Sequence, residues 1–105
     1  MREAIERVRA FASRRIISGA LSIYRRGEFY LSKTGTAYFM IRGSTGFHTA
    51  YIDLKHGKCG CSCIGFISHR ACKHIVALLF NLYFTSPKLF KLGARVVEAN
   101  KLRRG

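Results

Sequence analysis

Acidic residues are scarce in this sequence of 105 residues, and the five present are Glu3, Glu6, Glu28, Asp53 and Glu98. Catalysis by paired carboxylates, or a metal centre built from them, needs these groups in clusters, and this scatter gives none. A glycine-rich phosphate loop followed by Lys-Ser or Lys-Thr is also missing. With one proline and no biased stretch, the chain has no low-complexity segment, and it has no internal repeat. We therefore expect a binding protein and not an enzyme.

Long apolar runs are lacking too. The longest, residues 75–84, has ten residues and contains Asn81, whereas a membrane-spanning helix needs about 20. Residues 1–7 have no apolar core of the kind found in a signal peptide. We expect a soluble intracellular protein, cytoplasmic and associated with the nucleoid if it binds DNA, in which disulfides are disfavoured. From brevity and composition we also expect an archaeal source.

Positive charge is abundant. The chain has 19 Lys and Arg against 5 Asp and Glu, which gives a formal net charge of +14. Self-repulsion at this charge destabilises a compact chain unless a polyanion neutralises it. Nucleic acid is the partner that this charge favours, with DNA first. The alternatives are a solvated basic surface with protein partners, or attraction to anionic lipid.

All four cysteines and two of the four histidines lie between residues 59 and 74. Cys61 and Cys63 are two residues apart, so in an extended strand both sulfurs point to the same side. Cys72 and His74 have the same spacing after a loop of eight residues. Three thiolates and one imidazole give the closed tetrahedral shell of a structural zinc site. Cys59 has the same strand parity as Cys61 and Cys63, so the spacing leaves the choice of the first pair open.

The spacing of apolar residues and the capping residues predict three helices. Residues 2–18 have an amphipathic pattern that ends at Gly19. A second helix is predicted from residue 71 or 72 to 84, and its apolar residues lie on almost every side of it. Such a helix must be buried on more than one side, by the sheet and by another helix or another chain. Ser86 as N-cap and Pro87 at the first helical position begin the last helix.

Strand character is predicted between the first two helices. The segments rich in aromatic and branched residues are 21–25, 29–32, 37–42 and 47–54, with a last strand near 58–63. We therefore expect an α+β fold: an N-terminal helix, an antiparallel β-meander with a zinc site, an apolar helix and a C-terminal helix. The expected single domain, 1–105, divides into an N-terminal helix (1–19), meander, zinc finger and helix (20–84), and C-terminal helix with basic tail (85–105).

The segments Cys-Ser-Cys-Ile-Gly-Phe at 61–66 and Cys-Lys-His-Ile-Val-Ala-Leu-Leu at 72–79 resemble a SWIM zinc finger, C-x-C followed by C-x-H and an apolar helix. Phe66 fits the usual aromatic position, whereas Ile64 stands where many members have proline. The resemblance implies Zn²⁺ as the cofactor, and strands ahead of the first cysteine pair. It also implies four ligands, which are Cys61, Cys63, Cys72 and His74. Cys59 is then a bystander; its pairing with Cys61 is the main rival, and replacement of a ligand by His69 is another.

The resemblance also bears on function. SWIM modules occur with Swi/Snf-type ATPases, in transposase-like proteins, and in small proteins that associate with paralogues of RecA-family recombinases. It implies an accessory role in DNA repair or recombination. The alternative is an adaptor without nucleic-acid binding of its own, which uses the helix at 75–84 to bind a recombinase paralogue or a second copy of itself.

Basic side chains on the predicted helices, turns and zinc finger are candidates for nucleic-acid contacts. They are Arg14, Arg15, Arg25, Arg26, Arg70, Lys73, Arg103 and Arg104. Aromatic residues interleave with basic ones in the strand region, including Tyr30, Tyr38 and Tyr51. Such rings stack nucleobases when they are exposed, although most aromatic residues in strands are core or cross-strand pairs. We predict that His48 and His56 are ordinary surface or turn residues.

Overall fold

The computed structural model of the chain describes residues 1–43, 46–63 and 71–102. The elements in chain order are α1 (Arg2–Val8), α2 (Arg14–Ile23), β1 (Glu28–Leu31), β2 (Thr36–Gly43), β3 (Gly46–Asp53), β4 (Lys58–Cys61), α3 (Lys73–Thr85) and α4 (Pro87–Leu102). The predicted α+β fold is confirmed: helical structure comes first, then an antiparallel meander, an apolar helix and a C-terminal helix.

The N-terminal region differs from the single helix predicted over residues 2–18. It forms two helices, and the second begins at Ser13, whose Oγ accepts a hydrogen bond of 3.2 Å from the backbone amide of Ile16. A serine in this position caps a helix and favours a start there over a helix that continues through it. Gly19, predicted to end the helix, lies inside α2 against the side chain of Lys73.

The strand predicted at residues 21–25 is wrong. Leu21–Ile23 complete α2, and Tyr24 is its C-cap. The branched residues here suggested a strand, but Ile17 and Ala20 are buried at helical spacing, and Ile23 packs against the same core. Packing of this apolar stripe against α3 outweighs the local strand preference.

The four strands form one antiparallel sheet in the order β1-β2-β3-β4. Alternate residues of the two central strands face the core, and Phe39 and Ile52 are fully buried. Phe39 pairs with Ala50, and Ile52 pairs with both Ala37 and Cys59. This register makes one side of the sheet apolar, and α3 packs against it.

Helix α3 lies at the centre of the fold. Its apolar side chains from Ile75 to Phe80, and Leu82, are fully buried, covered by the sheet, α2, α4 and α1. Its polar Asn81 is satisfied, because Nδ2 donates to the backbone oxygens of Tyr24 (2.9 Å) and Ala77 (3.0 Å). The burial on more than one side that we predicted for this helix is thus supplied by the chain's own elements.

Helix α4 begins as predicted, with Ser86 Oγ accepting a hydrogen bond of 3.3 Å from the amide of Leu89. It packs against α3, and Glu98 forms an ion pair of 2.8 Å with Arg7 of α1. Its last turns hold the β3–β4 turn, since Asn100 Nδ2 donates to Gly57 O at 3.0 Å. Within the ranges that the structure describes, no helix has the length and apolar character needed to cross a membrane.

Candidate metal centre

The first pair of candidate ligands lies at the end of β4. Cys61 pairs with Ala50 of β3, which places its side chain on the core-facing side of the sheet. Two hydrogen bonds extend this pairing past the strand: the amide of Ser62 donates to Thr49 O (3.2 Å), and the amide of Thr49 donates to Ser62 Oγ (3.1 Å). Ser62 therefore holds the backbone between Cys61 and Cys63.

The second pair is positioned by the start of α3. Cys72 is the N-cap, with an extended backbone (φ −142°, ψ 169°), and His74 lies in the first turn. The backbone oxygen of Cys72 accepts the first helical hydrogen bond from Val76 (3.1 Å), but its sulfur makes no capping bond. The sulfur is thus available to the cluster while the backbone begins the helix.

The ligand atoms of Cys61, Cys63, Cys72 and His74 all lie within 4.8 Å of one another. Cys61 Sγ and His74 Nδ1 are 3.7 Å apart, close to the distance of about 3.6 Å that tetrahedral zinc with ordinary Zn–S and Zn–N bonds imposes. Cys61 is half-buried and the other three side chains are buried. Donor set, spacing and burial therefore fit one zinc ion held for structural purposes, with His74 binding through Nδ1.

The protein groups alone already favour a thiolate here. A hydrogen bond from the Cys72 thiol and, to a smaller extent, one from His74 lower the pKa of Cys61 to about 4 against the opposing effect of burial. The same interaction with Cys61, together with burial, raises the pKa of Cys72. Sulfurs this close share a proton, which a divalent cation replaces when it binds.

Cys59 lies outside this cluster. It is buried in β4 opposite Ile52, on the core side of the sheet. In the described part of the chain, the group of candidate ligands therefore pairs Cys61 with Cys63. His69, the other rival, and the motif residues Ile64 and Phe66 lie outside the described residues.

His48 lies against the cluster and is not the ordinary surface or turn residue that we predicted. Its ring stacks on that of His74, with centroids 4.9 Å apart and planes inclined by 27°. The ring fills the space beside Gly43, where an added Cβ would come within 2.9 Å of it. Strand alternation could have predicted this position, because His48 lies on the same face of β3 as Ala50, the cross-strand partner of Cys61.

Two adjoining cavities beside the cluster gather basic side chains, and Lys73 and His74 line both. Arg15 of α2 lines the first with Cys63 and Cys72. Arg26 and Arg42 line the second with His48. We call Arg15, Arg26 and Lys73 the basic rim; Arg42 touches the second cavity, but its guanidinium packs over Phe47 on the other face of the sheet. Arg42 was not among our predicted contacts.

Two of the other predicted contacts, Arg14 and Arg25, lie elsewhere. Arg14 lines a separate cleft with Arg9. Arg25 packs over the ring of Tyr24, with Cζ 5.5 Å from the centroid, and donates to its hydroxyl at 3.1 Å. Arg70, Arg103 and Arg104 lie outside the described residues. Three of the eight predicted side chains thus belong to the basic rim.

Comparison with protein families agrees with this geometry. Residues 50–83 match the SWIM zinc finger family. This range contains the end of β3, all of β4, the four clustered ligands and most of α3. Comparisons with curated proteins and with solved structures found no match. The segment from Ala50 to Tyr83 therefore matches a SWIM zinc finger, and the Cys₃His cluster within it supports zinc as the cofactor.

Proposed function

We propose that this protein is a zinc-stabilised DNA-binding module that acts as an accessory factor in DNA repair or recombination. The observation that carries the proposal is the basic rim, in which cations from α2, the α2–β1 connection and α3 converge beside the zinc cluster. High charge alone suits a solvated surface equally well. Convergence of three cations on one region favours a polyanion.

No carboxylate in the described ranges pairs with the basic rim. The ion pairs in the described ranges engage Arg7 with Glu98, Arg9 with Glu6 and His56 with Asp53. None of them includes a member of the basic rim. Cations without nearby acidic partners attract phosphates, and binding releases the counterions of the DNA. Contacts of this kind position the protein on the backbone and read little sequence.

Zinc has a structural role in this proposal. A shell of three thiolates and an imidazole leaves no open position for a substrate, in keeping with a binding function and not an enzymatic one. The ion would hold the start of α3, and so Lys73, against the sheet that carries His48. Loss of zinc should therefore disperse the basic rim as well as loosen the fold.

The link to repair or recombination is drawn from the SWIM family and is more specific than the zinc finger itself. The alternative, an adaptor that binds a recombinase paralogue or a second copy through the helix at 75–84, has less support, because the apolar face of α3 is buried within the chain. Phe84, which is 59% exposed, lies near its end. We therefore place DNA binding first.

A direct test is fluorescence anisotropy of the zinc-loaded protein with labelled duplex and single-stranded DNA at two salt concentrations. The proposal predicts binding whose affinity falls steeply as salt rises. RNA of the same length serves as the comparison for nucleic-acid class. Absence of DNA binding near physiological salt would refute the proposal and turn attention to protein partners.

A further inference from the structure

The face of the sheet turned away from α3 exposes aromatic rings. Tyr30, Tyr38 and Tyr51 are 62%, 38% and 38% exposed. The register places Tyr30 opposite Tyr38 and Tyr38 opposite Tyr51, so the three residues cross three neighbouring strands. We call these three residues the tyrosine row.

The rings of the row are arranged by their neighbours. Those of Tyr30 and Tyr38 are 6.2 Å apart between centroids and inclined by only 27°. Tyr51 leans over Gly60 of β4, its cross-strand partner, where an added Cβ would lie 2.7 Å from the ring. Because Gly60 has no side chain, the ring of Tyr51 can lie over it. The result is a line of three exposed aromatic rings on the outside of the sheet.

We propose that the tyrosine row stacks the bases of single-stranded DNA. This inference rests on the proposed DNA-binding function and narrows its substrate to strands whose bases are unpaired. Every base has a π-face, so a row of exposed rings binds single strands with little sequence preference. In a duplex those faces are hidden within the base stack, and the row has nothing to contact.

Charge around the row supports this occupant. Arg42 lies on the same face of β2, packed over the exposed ring of Phe47 with Cζ 5.7 Å from its centroid. Lys58 of β4 is exposed on that face, on the other side of the row from Arg42 along the strand direction. A strand that stacks its bases on the row can therefore place phosphates near a cation on either side of it.

Two acidic residues, Glu28 and Asp53, share the face. Asp53 is engaged by the turn that follows it, accepting hydrogen bonds from the amides of Lys55 and His56 and pairing with the His56 ring. A second copy of this chain is the less favourable occupant, because two molecules of charge +14 repel each other. A polyanion lowers that repulsion.

The test compares three labelled strands of about 16 nucleotides by anisotropy: oligothymidine, an abasic strand with the same phosphates, and a duplex. Wild type should bind oligothymidine more tightly than the abasic strand. Tyr38→Ala with Tyr51→Ala should weaken oligothymidine binding about 10-fold or more and leave abasic binding unchanged. Tyr51→Phe keeps the ring and should keep the affinity. Zinc content and thermal unfolding serve as controls for folding.

An independent readout needs no variant. The chain has five tyrosines and no tryptophan, so oligothymidine should quench tyrosine emission and the abasic strand should not. Equal affinity of wild type for oligothymidine and the abasic strand would overturn the inference while leaving the proposed DNA binding intact. Failure to bind any of the three DNA molecules would refute both this inference and the proposed DNA binding. A dimer that the alanine variant dissociates in sedimentation would assign the row to a second copy and likewise overturn the inference.

Discussion

The Nδ1 atom of His74 lies 3.7 Å from the Sγ atom of Cys61, although His74 is in the first turn of α3 and Cys61 ends β4. Strand β4 is at the edge of the sheet and pairs only with β3. A zinc ion bound by both residues therefore fastens an edge strand to the central helix. The other helices and the sheet all pack on α3, so this link connects the edge of the sheet to the element at the centre of the fold.

Cys63 and Cys59 give a matched test of the ligand set, because both are buried cysteines of the same chain segment. Cys63→Ala should lower bound zinc from about one ion per chain to nearly none, since three ligands hold structural zinc poorly. Cys59→Ala should keep its zinc. Elemental analysis of protein purified without a chelating tag measures both. Zinc retained by Cys63→Ala and lost by Cys59→Ala would establish the rival cysteine pair.

Removal of zinc should destabilise the whole chain and not only the finger. Binding of structural zinc contributes directly to the folding free energy, and in a chain of 105 residues the core leaves little surplus stability. We expect a chelator to lower the midpoint of thermal unfolding, measured by circular dichroism, and added zinc to restore it. An unchanged midpoint in protein shown to be free of zinc would contradict a stabilising role for the ion.

Ser13 tests the division of the N-terminal region into two helices. Ser13→Ala removes the N-cap of α2 and should cost about 1 kcal/mol, or about 4–8 °C in unfolding temperature. Ser18→Ala makes the same chemical change at an exposed position inside α2 and should be neutral or slightly stabilising, because alanine is the better helix former. If both substitutions behave alike, helix α2 does not begin at Ser13.

The stacking of His48 on His74 predicts a role in retaining zinc. His48→Ala should leave the zinc stoichiometry unchanged but speed zinc release to a competing chelator several-fold, because groups that pack around a ligand restrict its orientation. His56→Ala, in the exposed turn after β3, is the control. A chromogenic chelator follows release in real time. Equal release rates for the two variants would show that the His48 ring does not support the ligand.

The sequence predicted those features that short-range spacing determines. The C-x-C and C-x-H pairs identified the four clustered residues, and alternating aromatic segments located β1 to β3. Ser86 and Pro87 marked the start of α4 correctly. In each case the residues that decide the structure are neighbours in the chain.

What the sequence did not predict depends on contacts between distant elements. Leu21 and Ile23 are apolar residues that suit a strand, but Ile23 packs on the core in line with Ile17 and Ala20, and this stripe favours the helix. His48 reaches His74 through the β3–β4 register, which spacing alone does not fix. The basic rim likewise draws Arg15, Arg26 and Lys73 from α2, the α2–β1 connection and α3.

The most direct test of the account compares the salt dependence of DNA binding in two double variants that remove the same charge. Arg26→Gln with Lys73→Gln neutralises two members of the basic rim. Lys91→Gln with Arg95→Gln neutralises two exposed residues of α4 that line neither cavity of the rim.

By anisotropy, with zinc content and unfolding temperature matched to wild type, we expect the rim variant to bind DNA more weakly. Its plot of log affinity against log salt should also be shallower by about 1 to 2, the value for one or two lost phosphate contacts. The α4 variant should keep nearly the wild-type slope. Equal slopes for the two variants would show that the charge acts only as a diffuse field and would contradict a DNA-binding surface at the zinc site.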